Sequence, residues 1–314
     1  MKLKKLYHLS LLGIIAGFLT IGCGGTSKMA PANAETVKLQ WKISPEDTLK
    51  YKTIMNDIGE QKLEMNFGGM FDKLFDSIPE KDKLFGKDFF NKLQKSFNDT
   101  DFITLLTDSK YFDNTVDIAM YTVADNPFLS NNNDKDDNEA EKKEDEDMFV
   151  KLLKKMMRGI MLRGNVYKTG GLQSFWLKSG QKNLVSLFFE LPDKELKVGD
   201  KWTLDNVNLI SFDQNFICEK ADKKNVVILS DIITENNEKI AVIDYDIYEY
   251  AEGIFENPFL DNKVDTKMKM VYKAQAKFSI TQGKWVSYTG IMSLDATGFL
   301  DSKQKKKFAL IEIE

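Results

Sequence analysis

Hydrophobic and polar residues alternate most regularly near the C-terminus, where every second residue from 268 to 280 is apolar and lysines occupy intervening positions. A period of two places successive side chains on opposite faces of a strand, so this pattern predicts a strand with one buried face and one wet face. After a short turn the apolar set resumes at Val286, Tyr288, Met292 and Leu294. The two runs predict a long antiparallel ribbon, which must twist and curve.

From residue 161 onward almost all of the chain has the pattern of strand and turn. Short connections between consecutive strands favour an antiparallel meander. The predicted strands cover Met161–Lys168, Leu172–Ser179, Asn183–Leu191, Trp202–Leu204, Asp213–Lys220, Val226–Thr234, Lys239–Tyr250, Val264–Ile280, Trp285–Phe299 and Phe308–Ile313. The predicted turns are Asp222–Asn225, Glu235–Glu238, Thr281–Lys284 and Lys303–Lys307. Nearer the N-terminus, a strand through Val37, Leu39 and Trp41 is expected to turn at Pro45 and return from Leu49 to Met55.

Between these two strand regions the apolar period changes to that of amphipathic helices. Methionine and phenylalanine dominate the helical stripes, and such side chains form adaptable apolar surfaces. The predicted fold is therefore mainly β (α+β): a curved antiparallel meander sheet or half-barrel, with a helical insertion over about 66–163 packed on it or lidding it. An acidic loop at 126–147 is predicted to be disordered. The candidate lining of an apolar-ligand pocket is Met70, Phe71, Phe75, Phe149, Met156, Met157, Met270 and Phe278.

The N-terminus has the anatomy of an export signal: basic residues, an apolar run from Leu9 to Ile21, and then Gly22-Cys23. The apolar run is shorter than the roughly 20 residues of a membrane-spanning helix. Its end resembles the lipobox of bacterial lipoproteins, which implies cleavage before Cys23 and lipidation of its thiol. We therefore expect a signal peptide at 1–22, a flexible tether at 23–36 and a single β-rich domain at 37–314.

Composition excludes several kinds of active site. The only histidine, His8, lies in the predicted signal peptide. A mature chain without histidine cannot build a Ser-His-Asp or Cys-His hydrolase, or a zinc site that needs imidazole. Cys218 lies in an apolar strand pattern that favours a small buried side chain. Removal of the signal would change the formal net charge from −4 to −7, which argues against a nucleic-acid partner.

Two acidic patterns suggest chemistry but have simpler explanations. Asp134, Asp136 and Asn138 have the spacing of the first calcium ligands of an EF-hand loop, but the sixth position lacks the required glycine. Asp244 and Asp246 share a strand face with two tyrosines, as a pair of glycosidase carboxylates could. Solvated acidic side chains explain both patterns better, so we expect no cofactor and no metal. A two-carboxylate or Ser-Lys hydrolase remains an alternative.

Three stretches resemble a known family: LQWKISPEDTLKYKT (Leu39–Thr53), FELPDKELKVGDKW (Phe189–Trp202) and GKWVSYTGIMSLDATG (Gly283–Gly298). They are similar to an uncharacterised family of Gram-negative bacterial lipoproteins, a domain of unknown function. The resemblance covers the first hairpin and the β-rich C-terminal half, and it implies no activity or functional residues. More loosely, a curved sheet under a helical lid on a lipid anchor resembles carriers of lipids or lipoproteins in the periplasm.

These features together predict a lipoprotein of the cell envelope, in the outer membrane, that is a non-catalytic binding or structural module. Its expected partner is the membrane, through the Cys23 anchor. A carrier of a lipid or acyl chain, held between the sheet and the Met/Phe helices, is the alternative. An envelope protein that binds the outer face of the sheet is a further candidate partner.

Overall fold

The computed structural model describes residues 35–59, 62–65, 102–122, 160–177, 183–210, 215–256 and 263–313. Residues Glu35–Glu314 belong to one compact unit. The strands are β1 (Val37–Lys38), β2 (Thr48–Asp57), β3 (Lys62–Met65), β4 (Phe102–Asp108), β5 (Thr115–Thr122), β6 (Ile160–Tyr167), β7 (Leu172–Leu177), β8 (Glu195–Leu196), β9 (Lys201–Trp202), β10 (Phe216–Glu235), β11 (Glu238–Glu256), β12 (Lys263–Ser279), β13 (Lys284–Thr297) and β14 (Leu300–Ile313). Among the described residues, the segment between β7 and β8 contains one helix, α1 (Asn183–Phe189).

In the described part of the chain, twelve strands form one antiparallel sheet, which confirms the mainly β class. The order of the strands is β7-β6-β5-β4-β2-β14-β13-β12-β11-β10-β9, with β3 also paired to β14. Strands β10 to β14 are a meander in chain order, and β14 then pairs with β2. Because the last strand adjoins an early one, the N-terminal and C-terminal halves of the chain share one sheet.

The longest hairpin, β10–β11, turns at Asn236 and Asn237, whose φ angles are 51° and 64°. Two consecutive residues with positive φ match the type I′ turn that suits the twist of paired strands. The predicted turn at Glu235–Glu238 is therefore confirmed.

The core lies on one face of the large sheet, here called the inner face. Helix α1 and the extended segment 39–43 pack there, and Leu39, Trp41 and Ile43 are all buried. Alternation in this segment correctly marked buried positions. However, β1 covers only Val37–Lys38 and pairs with β8 instead of β2, so the predicted first hairpin is wrong.

Several predicted boundaries are corrected. The pattern predicts a strand over Asn183–Leu191, but Asn183–Phe189 forms α1, because a short continuous apolar run has no period that separates a buried strand from a buried helix. The predicted turns at Asp222–Asn225 and Lys303–Lys307 are strand interiors of β10 and β14. Some of their charged residues lie opposite a charge of the other sign on the neighbouring strand, as Lys223 does with Glu249 and Lys303 with Asp295, and the strands continue through both segments.

Within the predicted helical insertion at 66–163, residues 102–108 and 115–122 form β4 and β5, and β6 begins at Ile160. Ile103 and Leu105 on one face of β4 are buried, as are Thr104 and Leu106 on the other. A strand buried on both faces loses its polar alternation, which explains why the pattern did not reveal it. The predicted helical stripes and the acidic loop 126–147 lie outside the described residues.

Candidate functional site

The inner face beneath α1 is a closed aromatic zone. Phe278 is fully buried there, with ring centroids 5.4 Å from Trp41 and 5.0 Å from Trp285 in edge-to-face packing. Trp41 and Trp285 themselves lie 5.9 Å apart. The structure describes two of the predicted pocket residues, Met270 and Phe278. Of these, Phe278 packs in the core.

Side chains of the sheet and of the N-terminal segment bind the carbonyl groups at the end of α1. Trp285 Nε1 donates to the Phe188 carbonyl at 2.7 Å, and Trp41 Nε1 donates to the Phe189 carbonyl at 3.1 Å. The last carbonyls of a helix have no partner within the helix. Buried indole donors therefore satisfy them and fix α1 on the inner face.

A buried tyrosine pair extends this arrangement. The Tyr288 hydroxyl donates to the Leu187 carbonyl at 2.8 Å and lies 2.6 Å from the Tyr272 hydroxyl. Since the Tyr288 proton is used by Leu187, Tyr272 acts as the donor in the second bond. Burial raises the pKa of both tyrosines well above the usual value of 10, so both stay neutral.

The inner face is less covered farther along β12 and β13, where a group of half-buried apolar side chains forms the methionine patch. Its members are Met55, Met268, Met270, Met292 and Leu294. Met270 lies directly opposite Leu294, and Met292 lies opposite the core residue Tyr272. Met55, Met270 and Met292 also contact the aromatic core. The patch is therefore a continuation of the core with more exposed surface.

Charged groups border the methionine patch. Lys306, opposite Met292, forms a 3.0 Å ion pair with Asp57. Glu249, opposite Met270, accepts a 2.8 Å hydrogen bond from the Ile210 amide through Oε2. Its Oε1 lies 3.0 Å from Lys223 Nζ. An apolar surface with a charged border can hold an amphipathic ligand by its chain and interact with its polar end.

Lys223 and Asn183 link this border to α1. Lys223 Nζ donates to the Val207 carbonyl at 2.7 Å and to Asn208 Oδ1 at 2.9 Å. Asn183, the first residue of α1, in turn accepts from the Asn208 amide and donates to the Asn208 carbonyl. The loop that precedes β10 is thus tied both to the sheet and to the start of the helix.

At the other end of α1, Glu190 has a pKa raised above its usual value. Desolvation by burial is the main cause, and the charge of Asp205 adds to it, whereas hydrogen bonds from Ser186 and Asn206 act against it. No pattern in the sequence marked Glu190. Its environment depends on how α1 docks, which the sequence did not predict.

The predicted carboxylate pair lies on the outer face of β11, opposite the core. Asp244 accepts from Gln275 at 2.9 Å, and Asp246 pairs with Lys224 and, at 3.7 Å, with Lys273. The hydrogen bond from Lys224 is the main cause of the lowered pKa of Asp246. A glycosidase acid requires the opposite shift, so this arrangement resembles a cross-strand ion-pair network.

The remaining predicted site residues lie outside the described part of the chain. The undescribed sites are the lipidation residue Cys23, the calcium-like residues Asp134, Asp136 and Asn138, and the lining residues Met70, Phe71, Phe75, Phe149, Met156 and Met157. In the described part of the chain, no group of His, Cys, Asp or Glu side chains is placed to hold a metal ion. No described helix has the length and apolarity to cross a bilayer.

Cys218 is exposed, so its predicted burial is wrong. A register shift between Cys218 and Lys220 interrupts the β10–β11 ladder at this point. Such a bulge disrupts the alternation of faces on which the prediction depended.

Comparison with protein-family models, curated proteins and solved structures finds no match to this chain.

Proposed function

We propose that the protein is a lipid-anchored, non-catalytic protein of the bacterial cell envelope, and that its methionine patch binds an apolar chain such as an acyl group. The signal anatomy and Cys23 support the anchor. The observation that carries the binding function is the half-buried methionine patch, which continues the core on the inner face. Flexible thioethers adapt to apolar ligands of varied shape.

Metabolic labelling with palmitate tests the anchor. Wild-type cells are expected to incorporate label into the protein, and the Cys23→Ser variant is expected to lose it. Equal labelling of the two proteins would exclude lipidation at Cys23. It would not bear on ligand binding by the methionine patch.

Fluorescence titration with cis-parinaric acid, an 18-carbon fatty acid, tests the patch on a chain that begins at residue 24. The Met270→Gln/Leu294→Gln variant is expected to bind about tenfold more weakly, because it replaces apolar contact area with polar groups. Val271→Gln is the matched control, since Val271 neighbours Met270 on β12 but lies on the outer face. Equal affinity in all three proteins, or no binding by the wild type, would refute ligand binding at the patch.

A structural or protein-binding module is the second candidate, favoured by the closed aromatic zone. Trp41, Trp285 and Phe278 fill the space beneath α1, and tight packing of that kind serves stability. Mass spectrometry after native extraction separates the candidates. Co-purifying lipid favours ligand binding, and a lipid-free protein favours the structural module.

A further inference from the structure

The turn between β4 and β5 exposes aromatic side chains. Tyr111 is 86% exposed, the highest value among the large hydrophobic residues that the structure describes, and Phe112 is 49% exposed. Tyr167, which lies opposite Thr115 where β5 begins, is 40% exposed. Tyr111, Phe112 and Tyr167 are here called the aromatic tip. Single exposed hydrophobic residues are common on proteins, but a group of them at adjoining strand ends indicates an interaction surface.

Hydrogen bonds within the turn hold the aromatic tip in place. Ser109 Oγ accepts from the amides of Tyr111 and Phe112, at 3.3 Å each. Thr115 Oγ1 donates to the Phe112 carbonyl at 2.8 Å, and the Ser109 amide donates to the Thr115 carbonyl at 3.1 Å. A turn that is already ordered loses little conformational entropy when it docks on a partner.

The N-terminal segment of the described chain runs along the same end of the sheet. The Lys168 amide donates to the Asn114 carbonyl at 2.9 Å, and the Lys168 carbonyl accepts from the Trp41 amide at 2.8 Å. Six residues before Trp41, Glu35 pairs with Lys239 near the start of β11. Strand pairing places the start of β11 at the same end of the sheet as the end of β4. Residue 35 therefore lies at the end that carries the aromatic tip.

The position of residue 35 limits how far this end of the sheet can lie from a membrane. Cys23, the proposed site of lipidation, precedes Glu35 by twelve residues. Twelve residues span at most about 43 Å when fully extended. If Cys23 is anchored, as the proposed function holds and as this inference requires, the bilayer lies within that distance of residue 35. Tyrosine and other aromatic side chains are enriched where proteins meet the bilayer interface.

We propose that the aromatic tip inserts into the interfacial region of the phospholipid bilayer to which the chain is anchored. The charges of the turn favour neither anionic nor cationic lipid, because Lys110 and Asp113 offset each other and Asp108 pairs with Lys168 at 2.5 Å. Burial of aromatic surface drives the docking, so it does not depend on anionic lipid or on low salt. The tip is then a second membrane contact, which turns this end of the sheet toward the bilayer.

A fluorophore on the turn tests the proposal in a chain that begins at residue 24. A hexahistidine tag before residue 24 binds the protein to phosphatidylcholine vesicles that contain a nickel-chelating lipid, so recruitment does not depend on lipidation. Cys218→Ser removes the remaining cysteine, and Asp113→Cys carries the fluorophore NBD, which brightens on leaving water. The NBD intensity is expected to rise about twofold on vesicle binding, because the tip enters the interface.

Tyr111→Ser/Phe112→Ser, with the same label, is expected to lose this rise although the tag still recruits it. Val198→Ser/Ile217→Ser is the matched control, because it removes two apolar side chains of similar exposure far from the turn, and it is expected to keep the rise. Glu46→Cys is the matched label position. It also replaces an acidic residue in a turn at this end of the sheet, but in the polar turn 44–47, and its label is expected to change little. Flotation and circular dichroism establish that each protein is bound and folded.

Three results would overturn the proposal. The first is an unchanged NBD signal in the vesicle-bound protein, and the second is an equal rise with the label at 46 or in the Tyr111→Ser/Phe112→Ser variant. The third is a rise that requires native envelope vesicles and disappears after protease treatment of those vesicles, which would assign the tip to a protein partner. Palmitate labelling at Cys23 is a separate measurement, so failure of the anchor and failure of the docking are distinguishable.

Discussion

Replacing Tyr288 with phenylalanine removes one oxygen atom from the middle of the core. The ring stays, and with it the edge-to-face packing on Phe188 at 5.2 Å. The change is therefore purely polar. It leaves the Leu187 carbonyl without its 2.8 Å donor and the Tyr272 hydroxyl without its 2.6 Å acceptor.

Each buried polar group that loses its partner costs about 1–3 kcal/mol. Tyr288→Phe leaves two such groups without a partner, so we expect the free energy of unfolding to fall by about 2–6 kcal/mol. Tyr272→Phe removes only a donor, and Tyr288 still binds Leu187, so a loss of about 1 kcal/mol is expected. Tyr248→Phe is the matched control on the outer face, with an expected change within about 0.5 kcal/mol.

The double variant provides the sharper test. Once Tyr288 is phenylalanine, the Tyr272 hydroxyl is an orphan, and removing it as well relieves that cost. Tyr272→Phe/Tyr288→Phe should therefore be no less stable than Tyr288→Phe alone. Urea unfolding followed by circular dichroism and tryptophan fluorescence measures all five proteins, with an unchanged m value as the check on two-state behaviour. Additive losses, or a Tyr288→Phe protein as stable as the wild type, would refute the assigned network.

Two further predictions concern the C-terminal end of α1 and a turn. Gly170 has φ +101° and lies so close to Leu191 that an added Cβ would be 2.1 Å from the Leu191 Cβ, whereas Gly199, with φ +95°, has open space around it. Gly170→Ala should therefore cost about 2–4 kcal/mol in urea unfolding and Gly199→Ala about 1 kcal/mol; equal losses would show that backbone strain alone decides both. The raised pKa of Glu190 gives stability that is fully present below its unfolded pKa near 4.5 and is lost as pH rises through the folded pKa. The stability of Glu190→Gln relative to the wild type should accordingly increase from pH 4 to pH 8, and a difference that is independent of pH would contradict the raised pKa.

The strands of the meander were predictable because one face of each is wet. In β12, lysines at 267, 269, 273 and 277 alternate with apolar residues that are buried or half-buried, and such alternation can be read directly from the chain. Prediction failed where burial removed that contrast. Residues 185–189 of α1 and 103–106 of β4 are all buried, so no wet face there separates helix from strand.

The register between neighbouring strands cannot be read from the sequence, and this limited the prediction of which residues face the candidate site. A bulge between β12 and β13 pairs Phe278 with Trp285 and Lys277 with Ser287, so that Val286 is skipped. Trp285 consequently faces the core, and Val286 is 44% exposed. Counting from the turn placed Val286 in the apolar set of the inner face. A bulge of this kind depends on pairing between strands, which a pattern along one strand does not contain.

The two faces of the ribbon formed by β12, β13 and β14 differ in chemistry. The inner face carries the residues of the methionine patch, such as Met270 and Met292, and the outer face carries exposed lysines such as Lys269 and Lys307. Because strand residues alternate between faces, substitutions at neighbouring positions alter one surface and leave the other intact. By the same geometry, a one-residue slip in the β13–β14 register would exchange the two faces. The opposed chemistry of the two faces therefore strengthens the register that positions them both.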